Sequence, residues 1–237
     1  MRKFSTNPLY LQVRDALAVR IASGEWTPNT AIPNEQDLAR DGGVSAGTMR
    51  KALDLLESEG LVVRRQGRGT FVNDPASLMV AGRYSNFYGV GGNRIVGDIA
   101  TLEVSQGVPN TAEGERLELA REALVYRLGR VRSHLSKAFM VEAVVLPMAL
   151  FPRLRELNLV SSSLTMIAWA HGILLGNASE AISPGVASSS VADVLRIDEG
   201  HPVLLLDRVI STRDGRLAEW RTAECTTTDT HYKVRAT

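Results

Sequence analysis

The chain has 237 residues, of which 44% are hydrophobic and 22% charged, an ordinary globular composition that supports one large domain or two modest ones. Its formal net charge is +1, and dividing the chain leaves +2 on residues 1–72 and −1 on residues 73–237, so overall charge neither announces nor excludes a nucleic-acid partner. The single cysteine, Cys225, excludes an intramolecular disulfide framework and suits a reducing compartment; its expected role is a small half-buried strand residue, not a nucleophile.

In chain order, the first predicted helix runs from about Pro8 to Ser23. Proline suits a first helical position, Leu9, Val13, Leu17 and Ile21 recur on one face, and Gly24 terminates. "WTPNTAIP" reads as a loop or short extended piece, because the residue before Pro33 is biased away from helix. Asn34 caps a short second helix, with Asp37 at the third position near its positive end, and Asp41-Gly42-Gly43 breaks it. The third helix has the strongest start signal. Ser45 is the cap, Val44 and Met49 form a hydrophobic staple, and the helix continues through "AGTMRKALDLLESE" to Gly60. Met49, Ala52, Leu53 and Leu56 make its inward stripe, which leaves Ala46, Gly47, Arg50, Lys51 and Asp54 outside.

"LVVRRQGRGTFV" follows, two β-prone runs around Gln66-Gly67-Arg68-Gly69, a basic hairpin without an acidic residue. Arg64 and Arg65 are adjacent on a strand and must point to opposite faces, so Arg68 at the tip is the better candidate for minor-groove or phosphate contact. Charge runs are also commonly just solvated faces. Three helices followed by a basic hairpin describe a winged helix-turn-helix, assigned to residues 1–73. A linker is placed over 74–84, with the junction near Asn73 to Ser77, and a second domain over 85–237. From Ile95 onward the strand-like runs are "RIVGDIATLEV", "ALVYRLGRVRSH", "AFMVEAVVLP", "HPVLLLDRVIST" and "LAEWRTAECTT". Helical candidates lie at Leu150–Glu156, Leu164–His171 and Ser188–Leu195, and Arg213 to Arg216 form a hairpin turn. The fold class is α+β, with an antiparallel sheet in the second domain. The most apolar stretch, Phe139 to Phe151, is broken by Glu142 and Pro147 and falls short of a membrane span, and no signal peptide opens the sequence, so a cytoplasmic location and no membrane partner are expected.

"PLYLQV", "IPNEQDLA", "GVSAGTMRKALDLLESEGLV" and "RRQGRGTFV" resemble, in residue type and spacing, the GntR family of bacterial transcription regulators. "VYRLGRVRS", "VEAVVLPMALFPRL", "GHPVLLLDRV" and "DGRLAEW" resemble, in order, the UTRA effector domain of its HutC subfamily. The resemblance implies a winged helix joined to a chorismate-lyase-like domain that binds a small metabolite and dimerises. It carries DNA contacts onto Ser45, Thr48, Arg50, Arg68 and Gly69, and leaves Asn34 and Gln36 as polar donors to phosphate where the family has Ser and Arg. Where the family has Arg at the helix start, this chain has Ala46 and then Gly47. Losing that arginine forfeits a bidentate guanine contact worth about 1–3 kcal/mol of discrimination. Ala46 can still touch a thymine methyl and Gly47 permits close backbone approach, so Arg50 and Lys51 are expected to carry more of the reading.

Arg130 and Arg132 are two apart on one strand and share a face, where two guanidinium groups repel unless an anion lies between them. Glu142 on the next strand or an anionic ligand would serve; a cross-strand surface ion pair is the plain structural alternative. The resemblance makes Arg130, Arg132 and Glu142 effector contacts, together with Glu219, Ser163, Thr165 (where the family has Tyr) and the loop Ser85, Asn86 and Phe87. "SNFYGVGGN" reads equally as a mobile linker. Trp220 should pack on the opposite side from Glu219, and His171 reads as a helix C-terminal cap or surface residue. The four histidines have no metal-ligand spacing, so neither a metal nor another cofactor is expected.

The function expected is a ligand-responsive DNA-binding transcription regulator, a repressor and homodimer on an approximately palindromic double-stranded DNA operator, controlled by a small anionic metabolite. The resemblance allows sugar phosphates, phosphonates and carboxylates as effectors. The alternative is an enzyme on the chorismate-lyase-like fold with an accessory winged-helix interaction module. No catalytic nucleophile–base pair stands in the sequence to favour it.

Overall fold

The computed structural model describes residues 8–74 and 77–234 and divides into two units, Met1–Arg83 and Tyr84–Thr237. In the first, α1 (Leu9–Ala22), α2 (Glu35–Asp41) and α3 (Ala46–Ser58) precede the hairpin β1 (Val62–Arg65) and β2 (Gly69–Val72). The caps are the expected ones. Asn34 Oδ1 accepts from the Asp37 amide at 2.9 Å, and Ser45 Oγ accepts from the Thr48 amide at 3.2 Å. Met49, Ala52, Leu53 and Leu56 are all buried, with Leu17, Ala18 and Ile21 of α1. The segment before α2 is a short extended piece held against the wing, its Ile32 amide donating to the Thr70 carbonyl at 2.9 Å.

The linker expected over 74–84 crosses 75 and 76, which lie outside the described residues, and contains a one-turn helix, α4 (Leu78–Ala81), within the first unit. Val80 on it is buried, close to Gly60.

The second unit is built on a six-stranded antiparallel sheet of order β4-β5-β6-β9-β8-β7. Its strands are β4 (Asp98–Gly107), β5 (Val125–His134), β6 (Lys137–Pro147), β7 (Leu175–Val186), β8 (Pro202–Thr212) and β9 (Leu217–Cys225). A separate ribbon pairs β3 (Phe87–Gly89) with β10 (Thr230–Tyr232). Directly opposed residues share a face and so do residues two apart, so the rows Arg130↔Glu142↔Ala223↔Leu206 and Val144↔Arg221↔Arg208↔Glu180 lie on one side of the sheet. This side carries the arginines and, further along, a core of Tyr126, Leu128, Val144, Leu146 and Ile210 packed on Phe151, Leu154 and α6 (Leu164–Ala170). The other side receives α5 (Thr111–Leu117) and α7 (Ser189–Leu195) through Leu117, Val191 and Leu195.

Three expectations change. Leu150–Glu156 forms successive turns instead of a helix. The segment "SNFYGVGGN" is no mobile linker: Phe87–Gly89 is paired with β10, and Phe87 is a core residue with its ring 5.4 Å from Phe139 and 5.3 Å from Tyr232. Strand β7 and helix α5 were not expected at all.

Candidate functional site

The first candidate surface is the exposed side of α3 with the tip of the wing. Ala46, Gly47, Arg50 and Lys51 are exposed, and so are Gln36, Arg68 and Gly69. Gly67 and Gly69 have φ of +69° and +103°, the left-handed conformation glycine adopts freely, and they hold Arg68 out at the turn. The two long cations on α3 already have partners. Arg50 Nη2 lies 2.8 Å from Glu35 of α2 with its side chain 66% exposed, and Lys51 Nζ sits 4.0 Å from the centre of the Tyr10 ring. Arg64 turns back onto Asp54 at 2.6 Å and Glu57 at 2.8 Å, whereas Arg65 stacks 4.5 Å over Phe71. That opposition leaves Arg68 as the cation at the tip. Asn34 is committed locally, its Nδ2 donating to Asp37 at 2.6 Å, and Ser45 Oγ lies 2.9 Å from Thr48 Oγ1.

The second candidate site is buried in the sheet. Arg130 and Glu142 are each 1% exposed, and Arg130 Nε approaches Glu142 Oε1 at 2.8 Å; Arg132 Nε donates to Glu142 Oε2 at 2.9 Å. The ion pair is therefore interior, not a surface pair. Sequence reasoning missed three further members. Arg221 Nη1 donates to Glu142 at 3.2 Å and its Nη2 to Glu180 at 3.3 Å, while Arg208 Nη2 donates to Glu219 at 3.1 Å. The signal for Arg221 was its spacing two residues after Glu219, which puts both on one face.

Burial alone would push the Glu142 carboxyl up, but Arg132, Arg130 and Arg221 together hold it well below the usual carboxylate range. Burial dominates at Arg130 and Arg208, whose pKa values are lowered despite nearby carboxylates. Arg130 Nη1 donates to the Ser162 carbonyl at 3.1 Å, but its Nη2 has no hydrogen-bond partner.

The remaining expected effector residues surround this cluster in different capacities. Ser163 caps α6, accepting from the Met166 amide at 3.3 Å, and its Oγ is 2.8 Å from Thr165 Oγ1. Ser85 Oγ donates to the Ile95 carbonyl at 2.5 Å, and Asn86 Nδ2 donates to Tyr232 Oη at 2.9 Å. Tyr232 Oη in turn donates to Glu180. The Phe87 side chain packs into the core, so only its backbone remains for a ligand. Trp220 faces the other side as expected, donating to Asp207 at 3.0 Å. His171 is the C-cap of α6, its Nδ1 2.8 Å from the Ile167 carbonyl. Among the described residues, no cluster of His, Cys, Asp and Glu could hold a metal ion, and no helix is long and apolar enough to cross a membrane.

Residues 9–72 match the model of bacterial regulatory proteins of the gntR family, and residues 98–229, more than half of the chain, match the UTRA domain. The chain belongs to the gntR family, with a UTRA domain. It is accordingly a DNA-binding transcription regulator of the HutC type. The HTH-type transcriptional repressor NagR of Bacillus subtilis (strain 168) is 29% identical over 220 residues, covering 92% of this chain and 90% of that protein. The histidine utilization repressor of Klebsiella aerogenes is 46% identical over 68 residues, 29% of this chain and 28% of that one. The fold matches the possible transcriptional regulator YydK from Bacillus subtilis, with a TM-score of 0.60 at 19% identity over 98% of this chain and 100% of that one. These similar proteins are regulators, so the enzyme alternative is set aside.

Proposed function

We propose that this gntR-family regulator is a repressor whose operator binding is controlled by a small anionic metabolite bound among Arg130, Arg132 and Glu142. The observation that carries the effector reading is Arg130, which is almost wholly buried yet keeps Nη2 without a hydrogen-bond partner. A buried guanidinium with an unsatisfied donor is costly, and a bidentate anion is the partner its fork fits. Ser85, Asn86, the Phe87 backbone, Ser163, Thr165 and Glu219 are the neighbouring contacts in this reading. The name of the NagR relative, a transcriptional repressor, supports the direction of control.

On the DNA side, Ser45, Thr48, Asn34 and Gln36 position α2 and α3 on phosphates, Arg50 and Lys51 read bases beside Ala46 and Gly47, and Arg68 with Gly69 enters the minor groove. A cytoplasmic homodimer would set two such surfaces on an approximately palindromic operator. The effector acts as a switch only if it binds one arrangement of the dimer more tightly than the other. A thermal-shift screen of anionic metabolites, followed by operator titration with each stabilising compound, tests this. A compound that raises Tm and weakens operator binding is expected. Stabilisers that all leave operator binding unchanged would refute it.

A further inference from the structure

The buried cluster holds four guanidinium groups, Arg130, Arg132, Arg208 and Arg221, against three carboxylates, Glu142, Glu180 and Glu219. Glu142 is shared among three of the arginines, Glu180 serves Arg221, and Glu219 serves Arg208. Tyr232 adds a hydroxyl that donates to Glu180 and supplies no charge. Among the described residues the cluster therefore holds one positive charge more than its carboxylates neutralise, and an uncompensated buried charge is strongly disfavoured. The shortage also appears atom by atom. Arg130 Nη2, Arg208 Nε and Arg221 Nε are buried without a hydrogen-bond partner, while Arg130 Nε faces only Glu142 Oε1, at 2.8 Å and out of hydrogen-bond alignment. These unsatisfied donors belong to side chains from β5, β8 and β9, so they mark the cluster itself and not one misplaced residue.

We propose that Arg221 and Arg208 complete the effector site, and that it takes a singly charged anion of carboxylate type. The inference rests on the anion reading given above. A carboxylate brings one negative charge and two coplanar acceptor oxygens, which neutralise the excess and suit the guanidinium fork. A phosphate dianion would instead leave an excess negative charge among the same side chains. Arg221 and Glu180 set this count together: without Arg221 the cluster balances at three against three, and without the Glu180 charge the excess doubles. Arg208 also ties the cluster to the start of the unit, its Nη1 donating to the Tyr84 carbonyl at 2.5 Å.

The test is thermal unfolding of the full chain in sodium formate, in inorganic phosphate brought to its dianion at mildly alkaline pH, and in sodium chloride, all at one ionic strength. In the unmodified protein formate raises Tm by a few degrees over chloride, and phosphate does so less. The rise with formate disappears in Arg221→Gln, whereas in Glu180→Gln phosphate becomes the stronger stabiliser. An equal rise with formate in Arg221→Gln, or an unchanged anion order in Glu180→Gln, overturns the proposal. Arg132→Gln separates the two levels. If it abolishes the response to formate while Arg221→Gln does not, the anion site stands and its extension to Arg221 fails. If the unmodified protein responds no differently to formate than to chloride, both fail.

Discussion

Arg50 and Glu35 meet across the helix-turn-helix, an exposed ion pair between the residue proposed to read bases and the first residue of α2. Such pairs contribute little to stability, so Glu35 costs almost nothing to remove. Glu35→Gln is expected to tighten operator binding several-fold by removing a competing anion and a repulsive charge near phosphate. Arg50→Ala is expected to weaken binding by about 1–3 kcal/mol and to relax sequence choice at one base pair. Both are measured by fluorescence anisotropy on labelled operator. If Arg50→Ala weakens all sequences equally, its role is phosphate contact alone. The exposure of Arg50 was legible in the helical period of α3; its pairing with Glu35 was not, because it depends on how two helices cross. Cys225 was legible only in part. It lies completely buried, and burial pushes its thiol up to about 12. A thiol whose folded-state value is raised adds stability that is whole below its unfolded pKa of about 8.5 and fades above it. Native protein should therefore resist iodoacetamide at mildly alkaline pH and label fully once unfolded; rapid native labelling would contradict the burial.

At the scale of elements, capping and periodicity made the first unit readable. Asn34 and Ser45 close their helices through the expected amides, and the α3 stripe is the buried one. Ser45→Ala should cost about 0.5–2 kcal/mol of stability, read from the denaturant midpoint, because it removes the acceptor for the Thr48 amide. The wing is expected to behave differently. Arg68→Ala should leave stability unchanged, while the slope of log affinity against log salt falls by about one unit. A lost stability with an unchanged salt slope would place Arg68 in the fold and not on DNA. The second unit was harder to read. Strand β7 is written mostly in Gly, Ala, Ser, Asn and Pro, and it survives as an edge strand on the register of β8. A Cβ added at Gly185 would lie 2.7 Å from Leu205 of β8, so close contact with its neighbour explains what propensity could not. Helix α5 was legible in principle through Asn110 and Glu113, whose capping box forms as bonds of 2.9 and 2.8 Å.

For the whole molecule, the physics turns on linkage between a buried charge in the second unit and the DNA-reading surface of the first. The pattern Arg-x-Arg with a following Glu was visible in the sequence, but the excess charge was not, since Arg208, Arg221 and Glu180 come together only through the register of β7, β8 and β9. Acid should weaken the cluster. The Glu142 carboxyl is held low in the folded chain, so its stabilising contribution is full above an unfolded pKa of about 4.3 and is lost as pH falls below that towards the folded value. Coupling between effector and operator is reciprocal by necessity: each ligand must change the affinity of the other by the same factor. Operator affinity measured by anisotropy, with and without a saturating anion that stabilises the protein through Arg132, is the direct test. Weaker operator binding in the presence of the anion is expected, with an equal loss of anion affinity on operator-bound protein. Operator affinity that does not move at saturation would contradict it.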